Sequence, residues 1–252
     1  METNLYWLFV CICNLKIDLM KRMLAISVYN WMVLIFNFWL REALSKLKYW
    51  KYHYKKNLRE QNEFDWLLNS ETVSNSVLNQ LAIVQGNTIL DLGCGMSSVS
   101  QKLLKKSQHP IFVHSLDYVA SVIEHQKKLH SVVPKGNLSS GFDCIIADAC
   151  LLPYKDKVFD IVVDKGTMDS LLKDDIKERR MQKFACLLEE SLRILRPGGC
   201  FMQFTDEDPD IHYDILFIAI QKHSAHQYQL SFTSAGSEPY PCYVYLIKKI
   251  ML

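Results

Sequence analysis

Thr88-Ile-Leu-Asp-Leu-Gly-Cys-Gly-Met-Ser-Ser98 is the stretch of this sequence that decides its fold. Its first five residues form a short, mostly apolar run, which predicts a buried β-strand, and residues 97–106 have the composition of a helix. Asp91, Gly93 and Gly95 lie between the two as an Asp-x-Gly-x-Gly turn. Glycines let the backbone approach a ligand that a Cβ would exclude, and the start of a helix offers free N–H groups. The stretch therefore predicts a nucleotide-binding turn, with an ordinary tight turn as the alternative.

The turn lacks the third glycine of the dinucleotide-binding fingerprint, because Ser98 stands at that position. In dinucleotide-binding folds this glycine permits close packing of the helix on the strand, and the complete fingerprint accompanies diphosphate binding. Asp91, two positions before the first glycine, suits a ligand with a cationic end. These features favour a ligand that has an ammonium group and an adenosine but no phosphate, such as S-adenosylmethionine.

The composition indicates a globular protein: the chain has 252 residues, of which 49% are hydrophobic and 22% are charged. This length suffices for one α/β domain and an extension. The net charge of +2 shows no bias toward nucleic acid, and we expect no nucleic-acid partner. The eight cysteines include no Cys-x-x-Cys pair, and neither they nor the eight histidines have the spacing of metal ligands. We therefore expect buried, reduced thiols and no metal site.

Residues 1–60 differ in composition from the rest of the chain. Up to residue 59 they contain ten Lys or Arg and only three acids, and residues 23–40 carry no charge. These eighteen residues reach the lower limit for spanning a bilayer, so membrane contact is one interpretation. A basic, acid-poor targeting segment and a disordered or amphipathic extension are the others. We expect residues 1–60 to contribute nothing to the functional site and residues 61–252 to form the folded domain.

Aspartates stand at the ends of four predicted strands. They are Asp91, Asp117, Asp148 and Asp164. In open α/β sheets, ligands bind outside the carboxyl ends of the strands, where these side chains would meet. Asp117 lies 22 residues after Gly95, which is the spacing of an acid that binds ribose hydroxyls. Asp148 is placed to bind an adenine amino group, although turns and helix caps also favour aspartate.

The order of the predicted elements defines a fold class. A fifth strand over residues 200–204 follows a long helix, and two further strands, over residues 228–233 and 242–248, have no helix between them. Strands that alternate with helices form a parallel sheet, and the last two should pair as an antiparallel hairpin at its edge. We therefore expect an α/β fold with a mostly parallel seven-stranded sheet and an antiparallel C-terminal hairpin. The first four strands are predicted over residues 88–92, 111–116, 142–147 and 159–164.

Several motifs resemble those of one enzyme family, the class I S-adenosylmethionine-dependent methyltransferases, which have a Rossmann-like fold. The element order and the glycine turn carry the general resemblance, over residues 63–250. Asp164-Lys-Gly-Thr-x-Asp169 is similar to the signature after strand four in a group of lysine methyltransferases. Phe64-Asp-Trp66 and Gln203-Phe-x-Asp-Glu-Asp-Pro-Asp210 are similar to motifs of the mitochondrial citrate synthase-lysine methyltransferases.

The resemblance implies a cofactor, a substrate and roles for individual residues. The cofactor is S-adenosylmethionine, and the partner is a protein substrate, with citrate synthase as the candidate in the mitochondrial matrix. The N-terminus is then an atypical targeting sequence, and the oligomeric state stays open. Asp164 and Asp169 are expected to position the substrate lysine, with no dedicated general base. The residues expected to bind the cofactor are Trp66, Asp91, Gly93, Gly95, Asp117, Asp148, Ala149 and Asp164.

Three alternatives to this function remain. The first keeps the fold but changes the acceptor to another protein lysine, such as one on a translation factor, or to a small molecule. The second is an NAD-dependent oxidoreductase, which the missing third glycine and the terminal hairpin disfavour. The third is a cofactor-binding scaffold without catalysis, which the strand-end aspartates disfavour.

Overall fold

The structure is a computed structural model that describes residues 43–60, 65–132, 139–221, 228–236 and 241–250. The segment predicted to contact a membrane, residues 23–40, lies outside these ranges. Within the described part of the chain, no helix is long and apolar enough to cross a membrane. The described elements belong to one compact unit, Leu44–Leu252.

Helices and strands alternate along most of the described chain. The strands are β1 (Thr88–Leu92), β2 (Phe112–Asp117), β3 (Gly141–Ile146), β4 (Phe159–Lys165), β5 (Leu195–Thr205), β6 (Tyr228–Ser234) and β7 (Tyr243–Lys249). The helices are α1 (Leu47–Glu60), α2 (Ser70–Val84), α3 (Val99–Lys106), α4 (Ala120–Val132), α5 (Thr167–Leu172), α6 (Lys177–Ile194) and α7 (Pro209–Gln221).

The seven strands form one sheet in the order β3-β2-β1-β4-β5-β7-β6. Strands β1 to β5 run parallel, β7 is antiparallel to β5, and β6 is antiparallel to β7. The predicted fold class is therefore confirmed. The chain builds the sheet outward from β1 to β3 and then returns to the other side of β1 for β4. Such a reversal opens a crevice at the carboxyl ends of β1 and β4, where open α/β sheets bind ligands.

Helices cover both faces of the sheet, and successive residues of the central strands point to opposite faces. Leu90 and Val162 pack in the cluster that α6 completes. Ile89 and Ile161 pack in the cluster that α2 and α3 complete. All four side chains are fully buried, and each such burial stabilises the fold by ~1.5–3 kcal/mol. The two clusters hold β1 and β4 rigidly, which fixes the position of the crevice.

Helix α1 packs against the domain, contrary to the sequence analysis. Its buried face carries Trp50 and Tyr54, which pack with Cys94 of the glycine turn and Val122 of α4. The expectation that nothing before residue 61 contributes to the site is therefore wrong for this helix. The lysines of α1 give it the composition of a solvated linker, and two aromatic side chains four residues apart mark its buried side.

Candidate functional site

The glycine turn predicted to bind a ligand lies at the crevice, between β1 and α3. Gly93 and Gly95 adopt left-handed backbone conformations, with φ of +66° and +52°. A Cβ on Gly93 would collide with Oγ1 of Thr167, which donates a hydrogen bond to the carbonyl oxygen of Leu92 at 3.0 Å. Glycine alone combines this φ with so close an approach of α5 to the end of β1.

Gln126 fixes the turn from α4 and was missed by the sequence analysis. Its Nε2 donates to the carbonyl oxygens of Gly95 at 2.8 Å and Ser97 at 2.9 Å. Its Oε1 accepts from Nε2 of Gln101 at 2.6 Å, and the Gln126 side chain is fully buried. Two acceptors held by one buried amide leave the turn little freedom, so its shape is set before any ligand binds.

Asp91 lies at the end of β1 and lines the cleft. Its Oδ2 accepts a hydrogen bond from Oγ of Ser100 at 2.8 Å, and Ser100 in turn lies 2.8 Å from Oγ of Ser115. Burial raises the Asp91 pKa to about 6, against the opposing effect of the Ser100 hydrogen bond. A buried carboxylate of this kind gains free energy when a cation binds beside it.

Asp117, at the end of β2, ties that strand to the glycine turn. Its Oδ2 accepts from the backbone N–H of Gly95 at 3.1 Å and its Oδ1 from that of Val119 at 2.8 Å. Burial raises the Asp117 pKa to about 6, although both backbone hydrogen bonds favour the ionised form. A carboxylate offers about four lone-pair positions, so Asp117 keeps the capacity to accept from a ligand hydroxyl.

Asp65 and Lys165 form an ion pair that holds the Trp66 segment over the end of β4. Nζ of Lys165 lies 3.0 Å from Oδ1 of Asp65 and donates to the carbonyl oxygen of Trp66 at 3.1 Å. Asp65 also accepts from Oγ of Ser97 at 2.6 Å and from the N–H of Ser70 at 2.8 Å. Burial acts to raise the Asp65 pKa, but the charge of Lys165 and these hydrogen bonds outweigh it and lower the pKa.

Aromatic side chains from two segments form one wall of the cleft. The ring centroids of Trp50 and Tyr54 lie 5.3 Å apart with an interplanar angle of 28°, and Trp50 lies 5.3 Å from Trp66. All three line the cleft, yet only Trp66 was expected there. The other two come from α1, which the sequence analysis assigned to the N-terminal extension.

The cleft brings together seven of the nine residues that the sequence analysis assigned to the site. It measures about 760 Å³, counted with the solvent-open space at its mouth. The seven predicted residues that line it are Trp66, Asp91, Gly93, Gly95, Asp117, Asp148 and Ala149.

Asp164, one of the two predicted residues that do not line the cleft, is fully buried behind its wall. One of its oxygens accepts from the backbone N–H of Thr167 at 2.8 Å, and both oxygens lie within 3.3 Å of the N–H of Met168. Burial raises its pKa to about 7 despite these bonds. Asp164 therefore fixes the start of α5, while Gly166 and Thr167 reach the cleft surface. Its predicted contact with the cofactor stays a prediction.

Asp169, the other such residue, is also fully buried. Oγ1 of Thr205 donates to its Oδ1, and no described residue hydrogen-bonds its Oδ2. Carboxylate oxygens of Asp169, Asp206 and Glu207 lie within 4.8 Å of one another, and Lys173 lies 2.6 Å from Glu207. Burial and the neighbouring negative charges raise the Asp169 pKa well above its ordinary value. The sequence analysis expects no metal site, and for this group of three carboxylates that expectation stays a prediction.

Several known proteins have sequences similar to that of this chain. A family described as "Methyltransferase domain" matches residues 83–233. The mitochondrial citrate synthase-lysine N-methyltransferase of Pongo abelii is 33% identical over 175 residues, which make up 65% of this chain and 71% of that protein. EEF1A lysine methyltransferase 4 of Mus musculus is 26% identical over 197 residues, which make up 76% of this chain and 71% of that protein.

A solved structure has the same fold at low sequence identity. The crystal structure of an S-adenosylmethionine-dependent methyltransferase from Methanosarcina mazei aligns with a TM-score of 0.52 and 16% identity, covering 66% of this chain and 93% of that chain. At this identity the likeness concerns the fold alone, and it agrees with the seven-stranded sheet described above.

Proposed function

This chain belongs to the class I S-adenosylmethionine-dependent methyltransferases, and from that premise we propose that it methylates a lysine of citrate synthase in the mitochondrial matrix. Its enzyme class is protein-lysine N-methyltransferase, because the similar proteins include enzymes named for citrate synthase lysine and EEF1A lysine. The observation that carries the choice of substrate is the 33% identity to the citrate synthase-lysine enzyme, over 71% of that protein.

The residues of the cleft fit S-adenosylmethionine. The ligand has a cationic amine, a ribose and an adenine, and the cleft offers a carboxylate at the end of each of three neighbouring strand segments. Asp91 would bind the ammonium, Asp117 the ribose hydroxyls, and Asp148 with Ala149 the adenine. Trp66 would cover the ligand from the side of the aromatic wall. Gly93 and Gly95 line the cleft, and their lack of a Cβ lets the side chains of Thr167 and Tyr54 approach the turn closely.

Bound S-adenosylmethionine supplies an electrophilic methyl group on a sulfonium sulfur. The lysine amine must be neutral to attack, whereas an unperturbed lysine has a pKa of roughly 10.4. We propose that the chain contributes desolvation and alignment of the amine, and that the proton leaves through the open mouth of the cleft without a dedicated general base. In this scheme Asp164 acts as a positioning residue through Thr167, since its own carboxylate is turned into the protein.

The acceptor lysine would enter beside α5. Ser170 and Leu171 of this helix line the cleft. The preceding residue, Asp169, contacts the loop after β5, where it accepts a hydrogen bond from Thr205 and lies near Asp206 and Glu207. Negative charge on Asp206 and Glu207 would attract the lysine ammonium toward this side. Asp169 then shapes the entrance from within, which retains its predicted role as a positioning residue.

Methyl transfer to purified citrate synthase is compared with transfer to purified eEF1A, the two candidate protein substrates. Each is incubated with the chain and with methyl-labelled S-adenosylmethionine, and transfer is followed by label in the protein band. We expect label in citrate synthase, and a loss of transfer with Asp91→Asn but not with Asp156→Asn, an exposed aspartate remote from the cleft. Label in eEF1A alone would contradict the proposed substrate.

A lysine of eEF1A is the second candidate substrate. The mouse EEF1A lysine methyltransferase 4 aligns with 76% of this chain, a larger share than the 65% aligned with the citrate synthase enzyme. The proposed mitochondrial location favours citrate synthase, because it follows from relatives named as mitochondrial and from the basic, acid-poor residues 1–59.

A further inference from the structure

We infer that a groove between α1 and the start of α4 is a docking site for an acidic segment of the protein substrate. This inference rests on the proposed function, because it takes the substrate to be a protein. We refer to the feature as the α1–α4 groove. The residues that line it are Lys51, Lys55, Leu58, Val119, Ala120 and Ser121.

The α1–α4 groove adjoins the cleft through two chain segments. On α1, Trp50 and Tyr54 line the cleft, and the residues that follow each of them, Lys51 and Lys55, line the groove. At the end of β2, Tyr118 likewise lines the cleft, and its neighbour Val119 lines the groove. A polypeptide held in the groove would therefore lie beside the cleft that takes the acceptor lysine.

The chemistry of the α1–α4 groove selects negative charge next to an apolar side chain. We refer to its apolar lining residues, Leu58, Val119 and Ala120, as the floor, and to the exposed Lys51 and Lys55, whose stems extend the apolar surface, as the rim. None of its lining residues is acidic, and residues 43–59 contain no Asp or Glu at all. In an acidic stretch that contains one apolar residue, the carboxylates would pair with the lysines of the rim and the apolar side chain would contact the floor.

The position of the groove favours a polypeptide over a lipid surface. Lys51, Lys55 and Val119 of the groove directly follow Trp50, Tyr54 and Tyr118 of the cleft, and a protein substrate must come to that cleft to present its lysine. Protein association is also steered by complementary charge placed near, but outside, the reacting site.

The first test reverses the charge of the rim with Lys51→Glu/Lys55→Glu. The matched control is Lys105→Glu/Lys155→Glu, which changes the net charge equally at two exposed lysines outside the cleft and the groove. With citrate synthase as substrate, we expect the rim variant to raise KM about tenfold, since two attractive contacts become repulsive. Its kcat and its affinity for S-adenosylmethionine should match those of the control. A KM equal to that of the control would overturn the inference.

The second test needs no methyl transfer, so it separates a failed groove from a failed substrate assignment. A fluorescein-labelled peptide of sequence EELEELEE is titrated with the chain, and its anisotropy is followed at low and at high salt. We expect binding that weakens with salt, is lost in Lys51→Glu/Lys55→Glu and is kept in the control. Failure of this peptide to bind would refute the groove while leaving methylation of citrate synthase intact. Binding to vesicles of anionic phospholipid that depends on Lys51 and Lys55, without peptide binding, would also refute it and assign the surface to membranes.

Discussion

Replacing Asp65 with alanine should weaken both the fold and the binding of S-adenosylmethionine. The carboxylate accepts three hydrogen bonds, from Ser97 at 2.6 Å, Ser70 at 2.8 Å and Lys165 at 3.0 Å. The side chain of Lys165 is only 9% exposed, so loss of its partner leaves a charge poorly solvated, although the carbonyl oxygen of Trp66 remains. Removing one partner of a buried ion pair costs ~3–5 kcal/mol. The carboxylate of Asp65 is 27% exposed, which lowers our expectation to ~2–4 kcal/mol.

Urea unfolding measures this loss of stability, and calorimetric titration measures the affinity for S-adenosylmethionine. Because the ion pair holds Trp66 against the cleft, we expect an affinity loss of about tenfold, which is ~1.4 kcal/mol. The control is Asp156→Ala, which removes an exposed ion pair with Arg193 and should cost less than ~1 kcal/mol. Adding Lys165→Met to Asp65→Ala should cost less than the sum of the two single changes, as expected for residues in direct contact. If Asp65→Ala and Asp156→Ala had the same unfolding free energy and the same affinity for S-adenosylmethionine, the role given to this ion pair would be refuted.

Three further predictions concern the buried carboxylates, the glycine turn and the aromatic wall. Burial raises the pKa of Asp164 from an ordinary 3.8 to about 7. The protonated side chain therefore stabilises the fold fully below about pH 3.8, and this contribution is lost as the pH rises through about 7. The unfolding free energy of Asp164→Asn minus that of the wild type should therefore rise by ~3 kcal/mol from about pH 5 to about pH 8. A difference that does not change with pH would count against the buried carboxylate. Gly93→Ala should destabilise the protein by more than ~2 kcal/mol, because it adds a Cβ at positive φ against Thr167; unchanged urea unfolding would show that the turn is not constrained as described. Trp50→Ala should lower the affinity for S-adenosylmethionine about tenfold, whereas Tyr52→Ala, on the same helix but 72% exposed, should leave it unchanged; equal effects of the two would exclude α1 from the site.

Local sequence patterns sufficed for the parts of the site that the chain builds from neighbouring residues. A strand that breaks at glycines and opens a helix occupies fewer than twenty residues, so the turn at Gly93 and Gly95 could be predicted directly. Aspartates at strand ends could be placed at one edge of the sheet because parallel strands present their carboxyl ends together. The same logic led to Asp117 and Asp148, which line the cleft.

Contacts between distant segments could not be predicted in this way. Asp65 and Lys165 lie 100 residues apart, and neither position indicates the other. The direction of Asp164 depends on strand register: Asp91 pairs with Val163 and Leu92 with Asp164, so the two aspartates occupy successive rungs. Successive residues of a strand point to opposite faces, and only one of these carboxylates can line the cleft. Pairing register is a property of the folded sheet, which the sequence of one strand does not contain.

The central claim is that this chain transfers the methyl group of S-adenosylmethionine to the amine of a protein lysine. The most direct test incubates the chain with methyl-labelled S-adenosylmethionine and a mitochondrial protein extract, hydrolyses the labelled protein completely and identifies the labelled amino acid. We predict that the label is recovered as methyl-lysine and that Asp91→Asn abolishes its appearance. Label recovered in another amino acid, or in no protein while S-adenosylmethionine binds to the chain, would contradict the claim.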